Sequence, residues 1–387
     1  MQKKLMVIAV AGALAAPAVA MAQTSTVQVY GKITYEYARI DEGTGRINTD
    51  YADTPGGTAI GFKGEEKLGG GMAAWFQCES SADVRGVDQT GFCTRNSAIG
   101  LKGGFGNIHF GRWDTPMKRA LNVGSVGAQE TGSFGLADMV FGGSGGTSAS
   151  GSAAAPTGRS NRARWKRRET SLSYYESPKF GGFQVLGAFS DGNYSTDNTL
   201  ASGSTNPKPR VVSFAAIYEA GPFGVGLGYE KHDGFVGTTF GAGTAGAGDD
   251  KAVGVSASYK LGSAKIGATY LDATYQQANG DIDKKTYSLG VEWAISGPHG
   301  LEANIGVAGD TKGTGTGNID RVRAGTNTGG KQYSLAYVHS FSKRTEGRLI
   351  YVRIDNDSAA HYRLGSSSTS NAGQNMSAFG FHLSHRF

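Results

Sequence analysis

The chain has 387 residues and a formal charge of +6, which falls to +4 once Lys3 and Lys4 are set aside, a surplus too small to argue for nucleic acid. Its 62 glycines, 17 tyrosines and 18 phenylalanines, with an apolar fraction of 39%, suit many strands that each have one polar face. The same composition poorly suits a soluble helical enzyme.

Residues 1–22 combine a basic start, an apolar run from Leu5 to Ala16, and the triplet Ala20, Met21, Ala22 before Gln23. This is the pattern of a secretory signal peptide. The run is too short and alanine-rich for a permanent membrane helix, and no later segment reaches the required length. Export makes Cys78 and Cys93 a candidate disulfide across one loop. A metal or redox role would need more ligands than the sequence offers, so no cofactor and no metal is expected.

Alternation of period two then recurs along the chain. Val27, Val29, Ile33 and Tyr35 share a face opposite Lys32 and Glu36; Ile60 and Phe62 oppose Lys63; Met72, Ala74 and Phe76 oppose Gln77 and Glu79. Ile99 and Leu101 oppose Lys102, and Ile108 and Phe110 oppose His109. Leu172 and Tyr174 are expected on the apolar face, with Ser171, Ser173 and Arg167 on the polar one. Further apolar rows follow at Phe183 to Phe189, Val212 to Tyr218, Val225 to Tyr229, Val253 to Tyr259 and Ile266 to Tyr270. Tyr287 to Ile295 is the clearest strand, and Leu301 to Val307, Leu335 with Tyr337, Ile350 to Ile354 and Phe379 to Phe387 complete sixteen.

Alternation alone does not separate a soluble sandwich from a membrane barrel. The connections do. Short links near Leu68–Gly71, Gly103–Gly106, Gly221–Pro222 and Leu261–Ser263 alternate with long ones near Asp41–Thr58, Ser80–Thr94, Asp191–Arg210 and Asp310–Gly330. Short turns at one rim and long loops at the other, with an even strand number, are the outer-membrane barrel pattern. The sequence therefore predicts an all-β protein, a 16-stranded antiparallel transmembrane β-barrel. Sixteen strands leave an aqueous lumen. The glycine-rich stretch Asp114–Ser160 reads as neither helix nor strand, and a loop this long is expected either to be disordered or to work in the pore.

Several stretches, in the right order along the chain, resemble the trimeric Gram-negative porins of beta-proteobacterial type. These are Ile60–Ser80 (IGFKGEEKLGGGMAAWFQCES), Phe110-Gly111-Arg112, Leu172–Phe183 (LSYYESPKFGGF), Ser342-Lys343-Arg344-Thr345 and the terminal His385-Arg386-Phe387. The resemblance implies a homotrimer in the outer membrane of a Gram-negative bacterium, with the third external loop, here 114–160, folded inward as a constriction. It implies a general diffusion porin, passing ions and small hydrophilic solutes. A non-conducting adhesin or receptor barrel is the alternative. An enzyme is not expected, because no nucleophile elbow or metal-ligand spacing is present.

Parity places Lys63, Arg167 and Arg353 in the lumen. Strict alternation back from Ile99 turns Arg95 outward, and its inclusion with Lys63 and Arg167 on the basic side of a constriction is what the resemblance implies. Glu130 and Asp138 in the long loop are the candidate acids opposite. A basic balance would favour anions. The run Arg159–Arg168 (RSNRARWKRR) has three readings: a solvated loop end, a nucleic-acid patch that export argues against, or a divided strand extension. In the third, Arg162, Arg164, Lys166 and Arg168 face outward toward lipopolysaccharide phosphates.

Overall fold

The computed structural model describes residues 27–43, 47–53, 57–85, 91–127, 134–141, 164–190, 210–236, 247–277, 279–315, 324–364 and 371–387. The expected signal peptide, Glu130 and Arg162 lie outside the described residues, as does the side chain of Asp138.

Among the described residues, eighteen strands form one sheet. The first half comprises β1 (Gln28–Asp41), β2 (Ile47–Asp53), β3 (Ala59–Gly69), β4 (Met72–Ser81), β5 (Ser97–Gly103), β6 (Gly106–Asp114), β7 (Arg168–Glu176), β8 (Phe183–Ser190) and β9 (Arg210–Ala220). The second comprises β10 (Phe223–Val236), β11 (Ala247–Leu261), β12 (Ala264–Gln277), β13 (Gly280–Ser296), β14 (His299–Ala308), β15 (Lys312–Gly313), β16 (Gly330–Ser340), β17 (Thr345–Asn356) and β18 (Met376–Arg386). β2 continues the lane of β3 beside β1, and β15 extends the lane of β14 beside β13. Sixteen lanes remain, each antiparallel to its neighbours, and β1 pairs with β18 from Lys32↔Arg386 to Asp41↔Ser377. The sheet is thus a closed barrel without free edges, the form that satisfies every backbone polar group in lipid. No described helix is long and apolar enough to cross a membrane.

Tight turns join the strands at one rim, as at Gly69–Met72 and Gly221–Phe223. At the other rim the connections are longer, with one exception. β12 and β13 stay paired out to Gln277↔Gly280, so the expected long link at Asp272–Lys284 is mostly strand.

The two faces are chemically distinct. Val225, Leu227, Val255, Tyr287, Leu289, Trp293, Leu335, Phe379 and Phe381 are exposed on the outside. Ser213, Glu230, Ser256, Thr269, Ser288, Glu302, Asn304 and Gln332 are buried on the inside. An apolar exterior around a polar interior is the inverse of a soluble sandwich.

The interior is not polar everywhere. Phe134, Leu136, Met139, Val140, Phe141 and Trp165 form a buried cluster with Ile350, Val352, Ile354, Tyr362 and Met376. A second cluster joins Ala120 to Leu172, Tyr174, Leu186, Ala188 and Ile217. Both overturn an expected face. Ile350, Val352 and Ile354 point inward while Leu349, Tyr351 and Arg353 point outward, and Leu172 and Tyr174 point inward while Ser173 and Tyr175 point outward. The cause is the same in each case: apolar segments inside the barrel give inward apolar side chains something to bury against.

Candidate functional site

The segment after β6 does not remain a loop. A helix, Pro116–Gly124, begins at Thr115, whose extended backbone and side-chain oxygen cap the Lys118 N–H, with Pro116 in the first turn. Thr-Pro is a recognised helix start, so this element was legible in the sequence and its reading as neither helix nor strand is corrected. Met117, Ala120 and Leu121 are fully buried.

The helix lies on the polar face of β9 to β12. Ser213 Oγ accepts from the Met117 N–H at 3.0 Å, and Ser256 Oγ donates to the Ala120 carbonyl at 2.6 Å. Glycines make this approach possible. A Cβ on Gly226 would lie 2.3 Å from the Ala120 oxygen, one on Gly254 2.8 Å from Leu121 Cδ2, and one on Gly267 2.3 Å from the Gly124 oxygen. Beyond the helix, Glu292 accepts from the Gly127 N–H, Thr286 Oγ1 donates to the Val140 carbonyl at 2.5 Å, and Gln332 Nε2 donates to the Gly135 carbonyl at 2.9 Å. Phe134 reaches Gly380 on β18. A segment that starts at β6 and touches β9 to β14, β16 and β18 can do so only across the inside of the barrel.

Facing the start of this segment is a basic strip. Lys63 Nζ lies 5.1 Å from the Tyr30 ring centre, Tyr30 donates to Glu79 at 3.2 Å, and Arg95 Nε donates to the other Glu79 oxygen at 2.6 Å. Arg168 pairs with Asp114 at 3.1 Å and donates to Asn96, while Lys118 pairs with the same Asp114 oxygen at 3.0 Å. Arg167 is buried and pairs with Glu169 at 2.6 Å. Arg164 Nε donates to the Lys166 carbonyl at 3.0 Å. Burial first, then Arg167 and Arg168 beside it, pull the Arg164 guanidinium down to about 10. Lys166 donates to Ser125 Oγ at 2.8 Å and sits 4.4 Å from the Phe141 ring centre. Bases outnumber acids in this strip, so its field is positive.

The structure thus brings Lys63, Arg95 and Arg168 onto one wall, with Arg164, Lys166 and Arg167 continuing it. The outward placement expected for Arg164, Lys166 and Arg168 is corrected, because 164–167 is not strand and docks through Trp165, whose backbone N–H bonds the Phe141 carbonyl at 3.0 Å. Ser171, at φ 52°, breaks the alternation of β7, so Glu169 lies on the same buried side as Leu172. Arg353 is also corrected: it lies on the outer face, paired with Asp355 at 2.7 Å. Sequence reasoning passes over Arg112 and Lys118, the first although it ends the Phe110-Gly111-Arg112 stretch; Lys118 pairs with Asp114, and the charge of Arg112 is felt at Arg164 and Arg168. On the far wall Arg348 pairs with Glu302 at 3.1 Å and Glu346 at 2.8 Å. The Sγ atoms of Cys78 and Cys93 are bonded, tying β4 to the segment that carries Arg95. No group of three or more metal-ligating side chains occurs among the described residues.

Comparison with known proteins agrees with this architecture. A family model described as Gram-negative porin matches residues 8–359. Outer membrane porin protein 32 of Delftia acidovorans is 27% identical over 361 residues, 91% of this chain and 90% of the relative. Major outer membrane protein P.IB of Neisseria gonorrhoeae is 33% identical over 179 residues, and the chain spans only 44% of that relative's length. Among solved structures, the anion-selective porin from Comamonas acidovorans superposes with a TM-score of 0.71 at 22% identity, covering 94% of this chain and all of that one. At that identity the likeness is one of fold.

Proposed function

Because this chain belongs to the Gram-negative porin family of the outer membrane, we propose that it is a general diffusion porin, carrying ions and small hydrophilic solutes passively through a water-filled lumen and favouring anions. No catalytic step or cofactor is involved. The observation that carries the reading is the basic strip Lys63, Arg95, Arg164, Arg167 and Arg168 facing an inner segment within a closed barrel. The segment around Pro116–Gly124 narrows the lumen, and the strip beside it lowers the barrier for negative solutes. The Comamonas acidovorans protein, itself described as an anion-selective porin, supports the same sign. The functional unit is a homotrimer, with the exposed aromatic and aliphatic outer face set in lipid.

The test is a planar bilayer recording of the purified, refolded protein under a KCl gradient. Closure in three steps with an anion-sided reversal potential is expected. A cation-sided potential would retain the channel and overturn its charge assignment, shifting control to Glu292 and Glu302 opposite. Absence of conductance from folded protein would overturn the channel in favour of an adhesin or receptor barrel.

A further inference from the structure

The inner wall made by β4, β6 and β7 carries a strip of rings between the basic strip and the short-turn rim. Trp75 and Trp113 meet edge to face at 5.7 Å. Both contact His109, at 5.3 and 4.9 Å between centroids, and Tyr174 stacks on His109 at 4.5 Å. The arrangement is built rather than incidental. Trp75 Nε1 donates to Asn107 Oδ1 at 2.8 Å, and Gly100 leaves the space that the ring needs, since a Cβ there would lie 2.6 Å from Trp75.

His109 and Tyr174 are buried beneath, while Trp75 and Trp113 keep part of their surface open. At the end of the strip stands a cation. Arg119, in the inner helix, pairs with Glu176 at 2.9 Å, and its side chain is 34% exposed. Glu176 is the register partner of Asn107, so guanidinium and indole are linked through two adjoining residues. A guanidinium has five N–H donors, more than one carboxylate contact uses. Toward the short-turn rim the wall opens into a cavity of about 590 Å³, with Lys67, Lys102, Asn107 and Glu176 among its lining.

Partly exposed indoles and a guanidinium joined to them through Asn107 and Glu176 offer two attractions at once. Planar π systems stack on the indoles, and a carboxylate is held by charge-assisted hydrogen bonds. A neutral sugar would use the first and gain nothing from the positive field. We propose that Trp75, Trp113 and Arg119 form a binding site for planar aromatic monocarboxylates in transit through the lumen. This rests on the channel reading and names a solute class for it.

The experiment uses the intact purified protein and benzoate, with cyclohexanecarboxylate, benzamide and glucose as comparisons. Tryptophan emission is titrated in detergent, and KCl current is recorded in planar bilayers as each probe is added to one side. Benzoate is expected to change emission saturably and to interrupt the current briefly. Cyclohexanecarboxylate, of equal charge but without a π face, should act about fivefold more weakly, as should benzamide, which lacks the charge. Trp75→Leu and Trp113→Leu should each weaken the benzoate interruptions by about two- to tenfold, with Trp75→Phe retaining most of the effect. Arg119→Gln should equalise benzoate and benzamide. Equal responses to benzoate and cyclohexanecarboxylate in the unaltered protein would overturn the site, as would undiminished interruptions in the double leucine variant. Normal KCl conductance with no ring preference sinks the site alone, and a benzoate emission response without conductance sinks the channel reading alone.

Discussion

Ser256 and Ala120 are 136 positions apart in sequence and joined by a 2.6 Å hydrogen bond, the Ser256 hydroxyl donating to the Ala120 carbonyl. The contact exists because Gly226 and Gly254, on adjoining strands, have no side chain to hold the helix off the wall. Gly226→Val would drive a side chain into the Ala120 backbone oxygen, which cannot rotate away. We expect a displaced helix, altered and larger single-channel conductance, and a barrel destabilised by about 1–3 kcal/mol. Gly104→Ala, where a Cβ meets nothing within 4 Å, should leave conductance and thermal stability unchanged. Bilayer recording and heat-dependent gel mobility check both.

Removing positive charge from the strip should shift the reversal potential toward cations. A unit charge about 8 Å from a passing ion in water is worth about 0.5 kcal/mol, or roughly twofold in relative permeability. Arg95→Gln and Arg168→Gln are each expected to lower anion preference by about that factor. Each loss also leaves an acid with one cation fewer, Glu79 in the first case and Asp114 in the second. Raising the pH through about 10 acts in the same direction, since Arg164 gives up its proton there. In Arg164→Gln that part of the pH response should be missing.

Arg353→Gln should do nothing to selectivity. The side chain is on the outer face, held by Asp355, and a change of reversal potential comparable to that of Arg95→Gln would contradict this placement.

The Cys78–Cys93 bond closes a sequence separation of 15 residues. Alkylation followed by mass measurement should add two labels only after reduction. The bond's chain-entropy contribution is at most about 3 kcal/mol, and it falls on the segment leading to Arg95 more than on the barrel. A Cys78→Ser/Cys93→Ser double variant is therefore expected to stay folded, with weaker anion preference as Arg95 loosens from Glu79.

Strand positions were legible because one face of nearly every strand must be apolar for lipid, and that requirement writes a period of two into the sequence. Which face was which was harder in β7 and β17. Leu172 and Tyr174 look like lipid-facing residues until the helix that covers them is placed, and Ile350, Val352 and Ile354 look the same until Phe134–Phe141 fills the lumen beside them. Alternation reports that two faces differ, without reporting what lies against each. Parity misplaces Arg353 for this reason, and in β7 Ser171 breaks the alternation on which the placement of Arg168 relies. The helix at Pro116 had a clear start signal in Thr115-Pro116, but the glycine-rich sequence beyond it masked the signal. The ring strip is invisible to a linear reading because Trp75, His109, Trp113 and Tyr174 lie on three strands, and only the register between them makes one surface.

The seam of the barrel has a consequence for synthesis. Gly31 and Phe387 exchange backbone hydrogen bonds of 3.2 and 3.1 Å, and the neighbouring Thr34 and Ser384 hydroxyls meet across 350 positions. β18, the strand that must meet β1, is made only after every strand between them. Until then β1 has β2 and β3 on one side and no partner on the other. Closure waits for β18 and is slow because its contacts with β1 are so distant in sequence.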